Sequence, residues 1–225
     1  MIIAVLANGE WDPVWGKNEL ASVDYLICAD GGADAAIAAG RLPDVIVGDL
    51  DSVSKETLAV CRKNRVEIVS YLREKDETDL QLAVKRAEKK CLEAKPLDQE
   101  GSNIYIYGAF GGRLDHLLGN LVLALAYADR GICLRYKDPA QEAWVIWKRT
   151  EIFGKIGQNI SLLPYGGSVC VSTDGLKYTM DHDELFMDSP RGISNEFKEK
   201  KCVLEVHRGK LLVILNTLGD EYTRG

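Results

Sequence analysis

Metal-type cysteine spacing is missing from this 225-residue sequence: Cys28, Cys61, Cys91, Cys133, Cys170 and Cys202 include no CxxC or CxxH pair. Several lie inside apolar runs such as LICAD, ICLRY and SVCVS, where a thiol behaves as a small hydrophobe. A zinc ribbon or a disulfide framework is therefore not expected, and the cysteines are read as reduced. Long hydrophobic runs are also missing. No segment approaches the roughly 18 apolar residues of a membrane span. The opening MIIAVLANG has a short apolar run and no cationic leader, so it reads as a strand rather than a signal peptide. Positive charge is in deficit, with 28 Lys and Arg against 34 Asp and Glu and a net charge of −6. That balance argues against a broad nucleic-acid or anionic-membrane surface, although a phosphate ligand remains accessible through a divalent cation. Internal repeats and low-complexity linkers are absent too. What these absences leave is a cytoplasmic globular chain with a substantial core.

The segments present alternate in the first half. IIAVL (2–6), YLICA (25–29), VIVG (45–48), VEIVSY (66–71) and NIYIYG (103–108) are β-rich runs without polar alternation, suited to a parallel sheet covered on both faces. Helical candidates fall between and after them at 31–40, 54–65, 78–94 and 114–130, with Thr78 placed to cap the third. The expected fold class is α/β, with a doubly wound, mainly parallel sheet over residues 1–130. Beyond Gly131 the pattern changes to short strands (ICLRYK, EAWVIWK, EIFGKI, NISLLPY, SVCVST, CVLEVHRG, KLLVILN) separated by YGGS, STDG and HRGK turns. Residues 131–225 are accordingly expected to form an antiparallel β-sandwich domain.

In an open α/β sheet, ligands bind beyond the carboxyl ends of the strands. Asn8-Gly9, Asp30-Gly31-Gly32, Gly48-Asp49-Leu50-Asp51 and GAFGGRLDH (108–116) all follow predicted strands, and Thr78-Asp79 opens a predicted helix. In extended backbone, residues i and i+2 point the same way, so Asp49 and Asp51 are expected to converge on one hard cation, with Asp79 adding a further oxygen. Magnesium suits such a set, since it is held by one or two carboxylates together with substrate phosphates. The glycines allow close approach of backbone N–H groups to phosphate, and Arg113 offers a planar cationic fork. Each motif alone has an ordinary explanation as a turn or a helix cap. Their coincidence at successive strand exits favours function.

The sequence resembles the thiamin pyrophosphokinase family, through ADGGAD (29–34), PDVIVGDLDSVS (43–54), KDETDLQLAVK (75–85), GAFGGRLDHLLGNL (108–121), GLKY (175–178) and RGISNEF (191–197). The resemblance spans nearly the whole chain in order. It implies Mg2+-dependent transfer of pyrophosphate from ATP to the hydroxyethyl group of thiamin, yielding thiamin diphosphate and AMP, in a cytoplasmic homodimer with thiamin at the subunit junction. By the same resemblance Asp49, Asp51 and Asp79 match magnesium-binding acids, and Asp30 and Asp115 match acids close to the reacting groups. Asn8, Gly31, Gly32, Thr78, Gly111, Gly112 and Arg113 fall where ATP is held, and Ser194 and Asn195 match thiamin-side residues of the second domain. His116 is a second candidate base or a nucleotide contact; His182 and His207 are read as structural. Tyr178 departs from the family's usual tryptophan, yet a tyrosine face still attracts a thiazolium by roughly 0.5–2 kcal/mol. Of the tryptophans, Trp144 and Trp147 are expected on opposite strand faces, and Trp11 and Trp15 either as a lid or as loop-to-helix packing. Two other readings are a different Mg-dependent nucleotide-using transferase and a non-catalytic nucleotide sensor.

Overall fold

A computed structural model describes residues 1–94 and 102–217, which fall into two compact units. The first unit takes Met1–Leu123 and Leu134–Asp138; the second takes Ala124–Cys133 and the chain from Pro139 on. The domain boundary expected after residue 130 lies within this exchange of short stretches, and the expected second domain's last residues, 218–225, lie outside the described ones.

In the first unit, β1 (Ile3–Leu6), β2 (Tyr25–Ala29), β3 (Val45–Gly48), β4 (Glu67–Ser70) and β5 (Ser102–Tyr107) run parallel in the order β5-β1-β2-β3-β4. All of β1 and β3 is buried, which is why these runs show no polar alternation. β4 forms the edge and is only half buried. Helices α1 (Pro13–Leu20), α2 (Gly32–Ala38) and α3 (Lys55–Lys63) bring Leu20, Ala33, Ala36 and Cys61 onto Ala4, Leu6, Leu26, Cys28 and Ile46. Those sheet residues alternate along their strands and so share one face. Helix α4 (Asp79–Ala94) lies along β1, β2 and β3 and buries Ala83, Val84 and Ala87. It covers the opposite face, where Val5, Ile27 and Val45 point. The sheet is thus doubly wound, and each fully buried aliphatic side chain contributes about 1.5–3 kcal/mol.

Polar caps start the helices. Asp12 accepts from the backbone N–H groups of Val14 and Trp15 ahead of α1, a helix that the apolar pattern does not predict. Ser54 caps α3 and Thr78 caps α4. Trp11 and Trp15 pack edge-on with Tyr107, which is the loop-to-helix packing. Helix α5 (Leu114–Ala128) follows β5, and β6 (Ile132–Lys137) lies beside β5, mostly within the first unit although its run reads as the start of the second domain. No helix among the described residues is long and apolar enough to cross a membrane.

The second unit holds β7 (Gln141–Ile146), β8 (Thr150–Phe153), β9 (Asn159–Pro164), β10 (Val169–Asp174), β11 (Met180–Leu185), β12 (Asn195–Glu196), β13 (Lys201–Arg208) and β14 (Leu211–Asn216). They pair as β12-β9-β14-β7 and as β11-β10-β13-β8, with antiparallel neighbours. Trp144, Ile160, Leu162 and Val213 of the first sheet share one core with Val171, Leu185, Cys202 and Leu204 of the second, so the unit is a β-sandwich. Trp144 is in that core, whereas Trp147 lies past the end of β7 and is half-buried. Strand β11, MDHDEL, has no apolar run to announce it. Pairing with β10 holds it, and Met180 and Leu185 anchor its two ends.

Candidate active site

Because β5, β1, β2 and β3 are parallel, their carboxyl ends form one rim, and Asn8, Asp30, Asp49 and Gly108 all leave from it. Two of these ends and the start of α4 bring acids together. Asp30, Asp49 and Asp79 each offer a carboxylate oxygen within 4.8 Å of the others. At an effective dielectric near 20, two unit charges 4 Å apart repel by roughly 4 kcal/mol. A nearby cation, or a proton on one of the acids, relieves that repulsion.

Gly48 permits the approach. Its φ of +154° suits glycine, and a Cβ there would stand 3.1 Å from Asp30 Cβ and 3.2 Å from Asp79 Oδ1. Asp30 itself has a φ of +46° and is 6% exposed. Its Oδ1 is buried without a hydrogen-bond partner. Burial pushes the Asp30 pKa up, hydrogen bonding from Ser52 partly offsets this, and the charge of Asp79 adds to the rise. Lys75 Nζ stands 2.8 Å from Asp79 Oδ1. Burial works against the charge on Lys75, but the hydrogen bond and charge of Asp79, then the charges of Asp49 and Asp30, hold its pKa above the usual lysine value.

The donor set fits a hard divalent cation. It consists of carboxylate oxygens only, with Asp30 Oδ1 buried and unpartnered and Asp79 Oδ1 buried with the Lys75 ammonium facing it, at the ligand-bearing edge of an α/β sheet.

Asp51 is not in this group, contrary to the pairing expected from the DxD spacing. That expectation assumed extended backbone, but Leu50 has a φ of +66°, and its side chain packs partly buried against the core. The chain therefore turns between the two acids, and the Asp51 N–H donates to Asp49 Oδ1 at 3.1 Å. The exposed Asp51 carboxylate lies 3.8 Å from Arg73 Nε. Asp30 takes its place in the triad. No spacing rule pointed to that, because the convergence crosses from one strand end to the next.

The remaining first-unit residues line the loops of the same rim. The Asn8 side chain lies where a Cβ on Gly31 would sit, only 2.4 Å from Asn8 Oδ1. Gly32 likewise lets α2 start against the Leu6 carbonyl. Gly111 and Gly112 turn through positive φ before α5 and are exposed. Arg113 Nε donates to Asp115 Oδ1 at 3.1 Å, and both side chains are exposed. Hydrogen bonding from Arg113 holds the Asp115 carboxyl below its usual range. The His116 N–H also donates to Asp115, and the His116 side chain is exposed.

Within the second unit, Tyr178 and Asn195 come together. The buried Asn195 amide accepts from the Tyr178 N–H at 3.0 Å and donates to its carbonyl at 2.8 Å. Asn195 therefore fastens the backbone of a tyrosine that is itself 58% exposed. Ser194, with a φ of +58°, is exposed, and its N–H donates to Ser161 Oγ. Lys75 and Gly48 are the functional candidates that the motifs contained without revealing their part.

Comparison with known proteins gives a consistent result. A family model described as "Thiamin pyrophosphokinase, catalytic domain" matches residues 17–135, and one described as "Thiamin pyrophosphokinase, vitamin B1 binding domain" matches residues 149–211. The chain is 30% identical over 203 residues to thiamine pyrophosphokinase 1 of Arabidopsis thaliana, covering 80% of this chain and 73% of that one. It is 29% identical over 195 residues to the thiamine pyrophosphokinase of Bacillus subtilis, covering 85% and 86%. The crystal structure of the Bacillus subtilis enzyme superimposes with a TM-score of 0.81 at 25% identity, covering 97% of this chain and all of the other. That of the Candida albicans enzyme does so at 0.79 with 16% identity, a likeness of fold, covering 95% and 89%.

Proposed function

The chain belongs to the thiamin pyrophosphokinase family, and from this we infer that it is a thiamin diphosphokinase: it transfers pyrophosphate from ATP to the hydroxyethyl oxygen of thiamin, releasing AMP. The observation that carries the chemistry is the triad of Asp30, Asp49 and Asp79, with its buried, unpartnered Asp30 oxygen. These three acids hold Mg2+ in this reading. Bound there, the ion supplies charge neutralisation for the phosphoryl oxygens of ATP. Asp51 would have to leave Arg73 to join them.

Transfer demands that the thiamin hydroxyl lie in line with the β-phosphorus, so positioning carries much of the rate. Asn8, Gly31, Gly32, Thr78, Gly111 and Gly112 serve ATP in this reading as the loops and helix start along the rim, while Arg113 presents its guanidinium. Asp115, held ionised by Arg113, orients that guanidinium or the incoming hydroxyl; a carboxyl with a depressed pKa is a poor proton carrier. His116 stays a nucleotide-side contact. Tyr178 offers an aromatic face to thiamin, kept in place by Asn195, with Ser194 nearby in sequence.

The homodimer belongs to the same proposal. Leu114, Leu118 and Val122, spaced by four on α5, are 68%, 54% and 57% exposed, an apolar row of the kind that a second subunit covers. The six free cysteines support a reducing, cytoplasmic setting. The deciding experiment incubates the purified protein with ATP, thiamin and Mg2+ and quantifies products. AMP and thiamin diphosphate in equal amounts, lost on chelation, are expected. ADP with thiamin monophosphate, or ATP binding without turnover, would sink the proposal.

A further inference from the structure

Lys75 stands in an unusual place for a lysine. Its side chain is 16% exposed, and its ammonium lies 2.8 Å from Asp79 Oδ1, in an acid group whose oxygens are within 4.8 Å of one another. Lysine is among the residue types least often buried. Asp79 begins α4, and the N-terminal end of a helix repels a cation through the helix dipole. Helix stabilisation therefore does not explain the contact. The negative charge of the triad does, since Asp49 and Asp30 also act on the ammonium.

We propose that Lys75 is the protein's own counterion for the Asp30–Asp49–Asp79 triad, held there when no divalent ion is bound and displaced when one arrives. This rests on the metal-binding reading of the triad above. Two cations competing for the same oxygens make ion binding and departure of Lys75 one coupled event. The device keeps three carboxylates tolerable in the resting protein and weakens binding of a bare ion, whereas an ion arriving on a nucleotide brings phosphate oxygens with which the displaced ammonium can pair.

The test compares wild type with Lys75→Met in the absence of thiamin, using Mn2+ as a spectroscopic probe by electron paramagnetic resonance and thermal melts with and without the ion. Removing the competitor should tighten Mn2+ binding by about tenfold, a typical coupling between linked binding events. Without metal the variant should melt about 2–4 °C lower, the shift that follows from a modest loss in a chain of this size. At saturating Mn2+ that gap should close, because the ion has then displaced the wild-type ammonium and faces the acids in both proteins. A purely structural ion pair would leave a gap that survives saturation and an unchanged or weaker Mn2+ affinity, and either result overturns the proposal. If Lys75→Met does not fold, Lys75→Gln is measured with the same criteria. Wild type that binds no Mn2+, with or without ATP, removes the metal reading itself and this proposal with it. Mn2+ binding by wild type with no response to the substitution removes only the role given to Lys75.

Discussion

Two regions gather titratable side chains, and they handle charge in opposite ways. At the rim of the first unit, Asp30, Asp49 and Asp79 crowd like charges into a partly buried space and leave an Asp30 oxygen without a partner. On the second unit's smaller sheet, His182 and His207 stack with ring centroids 4.1 Å apart, in a setting that is exposed and satisfied. Ser172 Oγ accepts from the His182 N–H and lies 2.8 Å from His207 Nε2, while Asp181 Oδ1 faces His182 Nδ1 at 2.9 Å. Neighbouring acids there have arginines, Glu184 with Arg208 and Asp183 with Arg191. Clustering alone is therefore a poor guide to function. Burial without full compensation is the informative property: the single ammonium of Lys75 faces three carboxylates, whereas the acids beside the histidines have an arginine each.

The sharpest way to break this contrast is Asp49→Asn. Turnover, followed as AMP release, should fall by about 10³-fold, the scale expected when a group that stabilises transition-state charge is lost. The melting transition should change little. Next in size is Gly48→Ala, whose Cβ would press on Asp30 and Asp79 at a φ that disfavours a side chain. A loss of about 1–3 kcal/mol in a urea titration is expected, together with reduced turnover.

Asp30→Asn should move stability the other way. The folded protein holds the Asp30 pKa above its ordinary 3.8, so a charged carboxylate is disfavoured there. This penalty is absent below pH 3.8 and develops as pH rises through the raised value. In metal-free buffer at pH 7 the amide should therefore be the more stable of the two, with activity lost. The difference should shrink as the pH is lowered, and a gap that is flat with pH would contradict the burial argument. Smallest of all, His207→Ala should stay within about 0.5 kcal/mol of wild type with unchanged turnover, as befits an exposed, locally satisfied residue. A large loss there would erase the contrast between the two regions.

Much of the fold was legible. IIAVL, YLICA and VIVG are uninterrupted because β1, β2 and β3 sit between helices, so no strand face meets water. Glycine and aspartate after those runs marked the rim. Less visible were β11, whose run of acids and a histidine hides its strand character, and α1, which carries too little apolar periodicity to stand out. In the site, Asp49 and Asp79 were legible from their motifs. Asp51 was misplaced because one residue, Leu50, turns the chain, and the left-handed turn is held by packing of a side chain rather than by a glycine. Lys75 sat unremarked within KDETD, since only its neighbours in space reveal what its charge answers.

The sequence by itself determined which residues leave the sheet at the ligand-bearing edge, because buried parallel strands require apolar runs and the first polar or glycine residue ends each one. Tertiary structure alone decided which acids share a space. Neighbouring parallel strands lie about 4.8 Å apart, so the ends of β2 and β3 are in reach of one another whatever their separation along the chain. The φ angles at Asp30 and Leu50 then settle which carboxylates turn inward, and those angles are set by packing that no linear pattern records.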